Sequence, residues 1–191
     1  MSLIKAIENR RAYRALSEKP IPREVLLHLV DAAHLAPSSG NNQPWRIITV
    51  VDEPYLSRLK ESLSGGNYWA LKAPAITAFI TDPAWSLRLK EREYALFELG
   101  MAAMNYQLQG VEEGLYVHPI AGFSSTKAKA ALGMAEEALL LTLIILGYPG
   151  DSSDLSDKHK AQERAPQVRK PLDQISAFNQ WRGELNPLTE S

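Results

Sequence analysis

Two groups of basic residues near opposite ends of the chain carry side chains that bind phosphate. The first group is Arg10, Arg11 and Arg14, at the end of a short predicted helix, and the second is Arg169 with Lys170. Guanidinium groups hold phosphate oxygens through paired hydrogen bonds, so two groups that converge in the fold could grip a phosphate monoester. Either group alone is more typical of a solvated helix end. A phosphate site therefore needs support from a third element.

That third element is a polar loop at residues 36–45, which reads Ala-Pro-Ser-Ser-Gly-Asn-Asn-Gln-Pro-Trp. Its hydroxyl and carboxamide groups donate and accept hydrogen bonds without carrying a charge, and a proline stiffens the loop on each side. Such groups suit the edge of a polar heterocycle or a ribityl chain. The candidate binding residues in this loop are Pro37, Ser38, Ser39, Asn41 and Gln43.

Composition excludes several other chemistries. The chain has no cysteine, which excludes disulfides, thiolate metal sites, iron–sulfur ligation and cysteine nucleophiles. The 4 histidines show neither the spacing of metal ligands on a helix nor the pattern of a hydrolase triad, so we expect no metal site. A net charge of -1 argues against a nucleic-acid partner.

The N-terminus lacks the apolar stretch of a signal peptide, and the longest apolar run is too short for a membrane span. We therefore expect a cytoplasmic protein with no membrane partner, which acts on small molecules.

The hydrophobic pattern predicts one domain over residues 1–191, in which helices and strands alternate irregularly. A first helix is expected to be capped by Ser2, with Leu3, Ile4 and Ile7 facing inward. Further helices are predicted at 22–37, from residue 54, at 87–111 and at 125–133, and strands at 46–51, 75–81, 115–120 and 139–146.

The C-terminal part of the chain divides into two segments of different character. Residues 150–166 are polar and charged, which predicts an exposed, mobile loop. The tail 172–191 is too apolar to remain in water, so we expect it to dock on another surface. Its apolar side chains are Leu172, Ile175, Phe178, Trp181 and Leu185.

The order of the motifs resembles that of the nitroreductase family. The family pattern is an Arg-Arg-Ser-x-Arg stretch, an Ala-Pro-Ser-Ser loop ending in Pro-Trp, a Gly-Phe turn after a proline, a Gly-Tyr-Pro and a basic pair before a proline. The matching stretches are Arg10–Arg14, Ala36–Trp45, Pro119–Phe123, Gly147–Pro149 and Arg169–Pro171. The resemblance therefore runs from residue 10 to residue 171.

The resemblance implies an α+β fold, a three-layer sandwich in which helices flank a mostly antiparallel sheet. It implies a homodimer with two composite FMN sites at the subunit interface and the tail 172–191 docked on the partner. The implied reaction takes hydride from NADH or NADPH and reduces a small electron-poor acceptor, such as a nitroaromatic or a quinone. No side chain is expected to be catalytic, because the chemistry takes place at the flavin N5.

The resemblance also assigns the site residues. Arg10, Arg11 and Arg169 would bind the FMN phosphate, with Arg14 nearer the ribityl chain or the ring and Lys170 completing the basic pair. The 37–43 loop would line the flavin of the other subunit. The turn formed by Pro119, Ile120, Ala121 and Gly122 would lie against the ring, with the backbone N–H groups of Ala121 and Gly122 near N5.

This sequence departs from the family pattern at two positions. Ala12 stands in place of the usual serine and Ala121 in place of an acidic residue that some members carry. Asn67 is a candidate contact to the pyrimidine edge, although an asparagine after Gly66 is more typical of a turn. His118 is a candidate substrate contact. Reductive dehalogenation, flavin destruction and flavin binding without turnover remain alternative functions.

Overall fold

The computed structural model describes residues 2–185. The helices are α1 (Lys5–Asn9), α2 (Arg23–His34), α3 (Tyr55–Lys60), α4 (Tyr94–Glu112), α5 (Ser125–Leu132) and α6 (Asp157–Arg164). The strands are β1 (Arg46–Val50), β2 (Ala75–Thr81), β3 (Arg88–Leu89), β4 (Arg92–Glu93), β5 (Tyr116–Ile120) and β6 (Leu139–Gly147). None of the described helices is both long and apolar enough to cross a membrane.

The centre of the fold is a four-stranded antiparallel sheet in the order β1-β2-β6-β5. Every residue of β2 is buried, because helices cover both faces of the sheet there. This explains why β2 and β6 read as continuous apolar runs. Strands β3 and β4 form a separate short hairpin just before α4.

Two apolar cores lie on the two faces of the sheet. One core joins Ile76 and Ile145 to α3, α5 and Trp69, and the other joins Phe79 and Ile144 to α2 and α4. Successive residues of a strand face opposite sides, so Ile76 and Phe79 contribute to different cores. The predicted three-layer α+β sandwich is confirmed.

The predictions for two helices need correction. Ile4, not Ser2, precedes the first turn of α1, and Leu3, Ile4 and Ile7 are exposed on the isolated chain instead of facing inward. The long helix begins at Tyr94, because residues 88–93 form the hairpin. Its buried face carries Leu99, Ala102 and Tyr106. Phe97 and Met104, on another face of this helix, are exposed on the isolated chain.

The segment 150–166 is not simply a loop. Residues 157–164 form α6, and the Ser156 hydroxyl accepts a hydrogen bond from the His159 amide at the start of that helix. The predicted loop is therefore wrong over these eight residues. Beyond it, Leu172, Ile175, Phe178 and Trp181 are exposed on the isolated chain. Their docking on a partner stays a prediction, and residues 186–191 of the tail lie outside the described residues.

Candidate functional site

The two basic groups meet at the end of α1. The pKa of Arg10 is lowered, first by burial and then by the nearby charge of Arg169. Gln167 holds this geometry: its amide donates to the carbonyls of Glu8 (3.3 Å) and Arg10 (3.4 Å), and its carbonyl accepts from the Arg169 guanidinium (3.2 Å). Residues that are far apart in sequence therefore form one cationic cluster, as predicted.

No carboxylate forms an ion pair with this cluster within the described part of the chain. The ion pairs found among residues 2–185 leave out Arg10, Arg11, Arg14 and Arg169. Two neighbouring cations without a counter-charge repel each other, and a bound anion would relieve that repulsion. The cluster is therefore chemically suited to a phosphate group.

The side chains of Arg11 and Lys170 differ from the rest of the cluster. The Arg11 guanidinium donates to the carbonyls of Gln162 (3.5 Å) and Ala165 at the end of α6, and it lies 5.4 Å from the centre of the Tyr13 ring. Part of its hydrogen-bonding capacity is thus used inside the protein. Lys170, the residue after Arg169, is exposed. The Arg169 guanidinium also has internal acceptors, the Val168 carbonyl (2.8 Å) and Gln167 (3.2 Å), and the predicted phosphate contacts of all these residues stay a prediction.

Helix α6 packs against the segment that carries Arg14. The carboxylate of Glu163 accepts hydrogen bonds from the backbone amides of Arg14 and Ala15 (3.0 Å to the latter). On the same helix, His159 lies 3.1 Å from the Tyr68 hydroxyl through Nδ1, with the two rings stacked. The segment that the sequence predicts to be a loop therefore fixes the backbone next to the cationic cluster.

His118 lies buried beneath this cluster. Its Nδ1 is 3.0 Å from the Tyr13 carbonyl oxygen and so carries the proton, because a carbonyl can only accept. Its ring packs against Trp69 with centroids 4.5 Å apart. Burial, and after it the charge of Arg14, lowers the pKa of His118 to about 4. His118 is thus a neutral support for residues 13–14, a role that its sequence position did not predict.

The turn after β5 is shaped by close packing on Asn67. The Gly122 carbonyl accepts hydrogen bonds from the Ser64 amide (2.9 Å) and the Asn67 side chain (2.7 Å). A Cβ atom at position 122 would come within 2.7 Å of the Asn67 amide nitrogen, so any other residue here would displace the Asn67 side chain. Asn67 therefore holds the turn, which extends the turn interpretation made from sequence.

The same turn offers unused hydrogen-bond donors. Among residues 2–185, neither the Ala121 nor the Gly122 N–H group has an acceptor. Ala121 and Pro119 are exposed, whereas the side chain of Ile120 is buried below. The turn is one β5 length, about 13 Å, from the end of the strand where Tyr116 stacks on Tyr13 of the basic segment. A ligand with a ring system at one end and a phosphate at the other could reach both.

The polar loop is strained and internally bonded. Gly40, Asn41 and Gln43 all have positive φ, at 57°, 58° and 49°, which costs about 1 kcal/mol or more at each of the two non-glycine residues. The Ser38 hydroxyl accepts from the Gln43 amide (2.9 Å), so it retains its own proton and one lone pair for a ligand. Of the other polar residues predicted for this site, Asn41 is exposed and Ser39 is half-buried.

The loop and the cationic cluster lie at opposite corners of the sheet. The loop leads into Arg46, which is opposite Ile80 and hence close to Leu140 on β6, whereas Tyr116 is opposite Gly147. Three strand spacings and seven residues of β6 separate the corners, a distance on the order of 27 Å. One chain therefore brings together the cluster and the turn but not the loop.

A buried glutamate that the sequence reasoning missed lies behind the loop. Glu98 of α4 is 1% exposed, and its Oε1 accepts a hydrogen bond from the Ser39 amide at 2.7 Å. A glutamate in an amphipathic helix usually faces water, so nothing in the sequence distinguishes Glu98 from an exposed glutamate such as Glu112.

Comparison with known proteins gives consistent results. Residues 7–148 match the model of the Nitroreductase family. An NADH dehydrogenase of Thermus thermophilus is 27% identical, over 87% of this chain and 90% of its own length. An FMN reductase [NAD(P)H] of Bacillus subtilis is 28% identical, over 91% of this chain and 72% of its own length. The crystal structure of an oxidoreductase containing FMN superposes with a TM-score of 0.84 at 26% identity, covering 96% of this chain and 94% of the other.

Proposed function

Since this chain belongs to the nitroreductase family, we propose that it is an NAD(P)H-dependent flavin oxidoreductase that binds FMN between two copies of the chain. The acceptor is a small electron-poor molecule such as a nitroaromatic or a quinone. The similarity to an FMN reductase and to an oxidoreductase containing FMN supports the cofactor. When bound, FMN supplies a ring that takes hydride from the nicotinamide and passes electrons to the acceptor.

Two features of the described residues, about 13 Å apart, carry the proposal. One is a cationic cluster that has no ion pair, and the other is the pair of backbone N–H groups at Ala121 and Gly122 that have no acceptor. Arg10 and Arg169 would hold the phosphate, with Arg14 beside them and Arg11 and Lys170 at the rim. The N–H groups of Ala121 and Gly122 would donate to the ring edge at N5, where they orient it for hydride transfer. A backbone donor acts in this way whatever side chain the position carries, so Ala121 in place of an acidic residue does not remove it.

We propose that the site is completed by the 37–43 loop of the second subunit. Strand spacing and register place Arg46, which follows the loop, about 27 Å from Tyr116 near the basic cluster, so the loop would serve a flavin only across an interface. The exposed apolar residues of α1 and α4 provide a surface for that interface. The exposed tail residues would dock there as well, as the family resemblance implies.

Two measurements test the function. Purified protein with bound oxidised flavin is yellow, whereas protein without it is colourless in visible light. Oxidation of NADH and of NADPH is then followed with and without a nitroaromatic or a quinone. Turnover that depends on both the nicotinamide and the acceptor supports the proposal. Bound flavin without turnover would instead indicate a flavin-binding protein.

A further inference from the structure

We propose that Glu98 is a positioning residue that holds the Ser38–Asn41 loop in the shape needed at the flavin of the other subunit; this rests on the proposed function. Glu98 is 1% exposed, and both of its oxygens are engaged. Oε1 accepts from the Ser39 amide at 2.7 Å and Oε2 from the Ser86 hydroxyl at 2.5 Å.

Burial of a carboxylate at this position costs free energy of desolvation. None of the ion pairs among the described side chains includes Glu98, so two hydrogen bonds are its compensation for burial. An apolar side chain of similar volume would fill the same space without the free-energy cost of removing a carboxylate from water. Packing of α4 therefore does not account for a glutamate here, whereas a need for its acceptor oxygens does.

The loop needs an external tie because its conformation is unfavourable. Gly40 and Asn41, the residues directly after Ser39, both have positive φ. The other hydrogen bonds of residues 38–42 stay within the loop, from Asn41 to Ser38, from Asn42 to Ser39 and with Gln43. Within the described structure, the bond from Ser39 to Glu98 is thus the one that ties these residues to another element.

The second oxygen extends the same tie to the hairpin. Ser86 immediately precedes Leu87, whose carbonyl accepts the Tyr94 amide (3.1 Å) and closes the base of the β3–β4 hairpin. The carboxylate of Glu98 therefore joins α4, the Ser38–Asn41 loop and the base of the β3–β4 hairpin. These three segments should hold their relative positions while Glu98 is present.

Hydrogen–deuterium exchange of the apoprotein tests the tie directly, together with FMN titration by fluorescence. In Glu98→Met we expect peptides covering residues 38–43 to exchange about tenfold faster and the Kd for FMN to rise about tenfold. The melting temperature of the apoprotein should also fall, because the Ser39 amide and the Ser86 hydroxyl lose their acceptor, so the exchange rate of the loop and the FMN affinity are the deciding measurements. Glu98→Gln should stay within about threefold of wild type, because its carbonyl can accept from Ser39 and its NH₂ can donate to Ser86.

The control is Glu112→Gln, an exposed glutamate at the end of the same helix, which should leave exchange and FMN affinity unchanged. A purely structural role would lower the melting temperature of Glu98→Met and leave loop exchange and FMN affinity at the wild-type values; that result overturns the proposal. If Glu98→Met does not fold, Ser86→Ala should still speed exchange of residues 38–43 by about threefold, and an unchanged rate overturns the proposal. A wild-type protein that binds no FMN contradicts the proposed function, while the exchange measurement still decides the role of Glu98.

Discussion

Replacing His118 by asparagine should remove a pH-dependent part of the stability of the protein. The folded pKa of His118 is about 4, because burial and the charge of Arg14 disfavour its protonated form, against 6.5 in the unfolded chain. Between these values the unfolded chain binds a proton that the folded protein does not, so the free energy of unfolding falls as the pH drops from about 6.5 towards 4. Integrated from pH 7 to pH 5, this difference amounts to about 2 kcal/mol.

The assay is urea unfolding of the apoprotein at pH 7, 6 and 5, at one fixed protein concentration. Asparagine does not titrate in this range, and its Nδ2 can still donate to the Tyr13 carbonyl as the histidine does. Wild type should therefore lose about 2 kcal/mol more than His118→Asn between pH 7 and pH 5. The exposed His34→Asn on α2 is the matched control and should follow wild type. Equal losses in wild type and His118→Asn would refute the reasoning, because His118 would then titrate alike in both states.

Three further predictions concern the proposed flavin site. Arg169→Ala should weaken FMN binding about 10- to 150-fold through loss of a charge-assisted hydrogen bond. Lys127→Ala, at an exposed lysine, is the control and should bind FMN as wild type does. If Arg169→Ala retains as much FMN on dialysis as wild type, Arg169 does not bind the phosphate. Gly122→Val should slow reduction of the flavin in stopped-flow experiments while FMN stays bound, because its Cβ would push on Asn67 and shift the donors of the turn; a wild-type rate would count against this role. Truncation after Pro171 should lower dimerisation and FMN content together, since it removes Leu172, Phe178 and Trp181 from the proposed interface. A truncated chain that remains dimeric with full FMN content would show that the tail is dispensable.

The sheet and most helices could be predicted because their signals are local. The β-branched run before Val51 and the apolar runs that became β2 and β6 indicate strands without reference to the rest of the chain. Pro22 likewise marks the start of α2, and Gly133 marks the end of α5. The convergence of the two basic groups also followed from sequence, but only through the order of the family motifs.

The errors arise where distant contacts decide the structure. Helix α6 has few apolar residues, so no hydrophobic periodicity predicts it. The helix is held in place by the Glu163 carboxylate, which accepts hydrogen bonds from the backbone amides of Arg14 and Ala15. The buried position of Glu98 depends on Ser39, 59 residues away, and no local pattern encodes that contact. The apolar face of α1 was assigned to the core because amphipathicity alone cannot distinguish a core from a partner's surface.

The separation of the loop from the basic cluster was likewise not visible in the sequence. It depends on strand order and register, which place Arg46 and Tyr116 at opposite corners of the sheet. The sequence indicates the loop and the basic cluster, but not the register that separates them within one chain.

The most direct test of the composite FMN site is a hybrid dimer of two defective chains. One chain carries Arg10→Glu with Arg169→Glu, which disables the phosphate cluster, and the other carries Ser39→Trp, which blocks the loop. Each variant alone should form dimers without FMN. Hybrid dimers, isolated with two different affinity tags, contain one intact cluster facing one intact loop if the site is shared, and should bind one FMN per dimer. Hybrid dimers that bind no FMN, beside a wild-type dimer that binds two, would contradict the shared site.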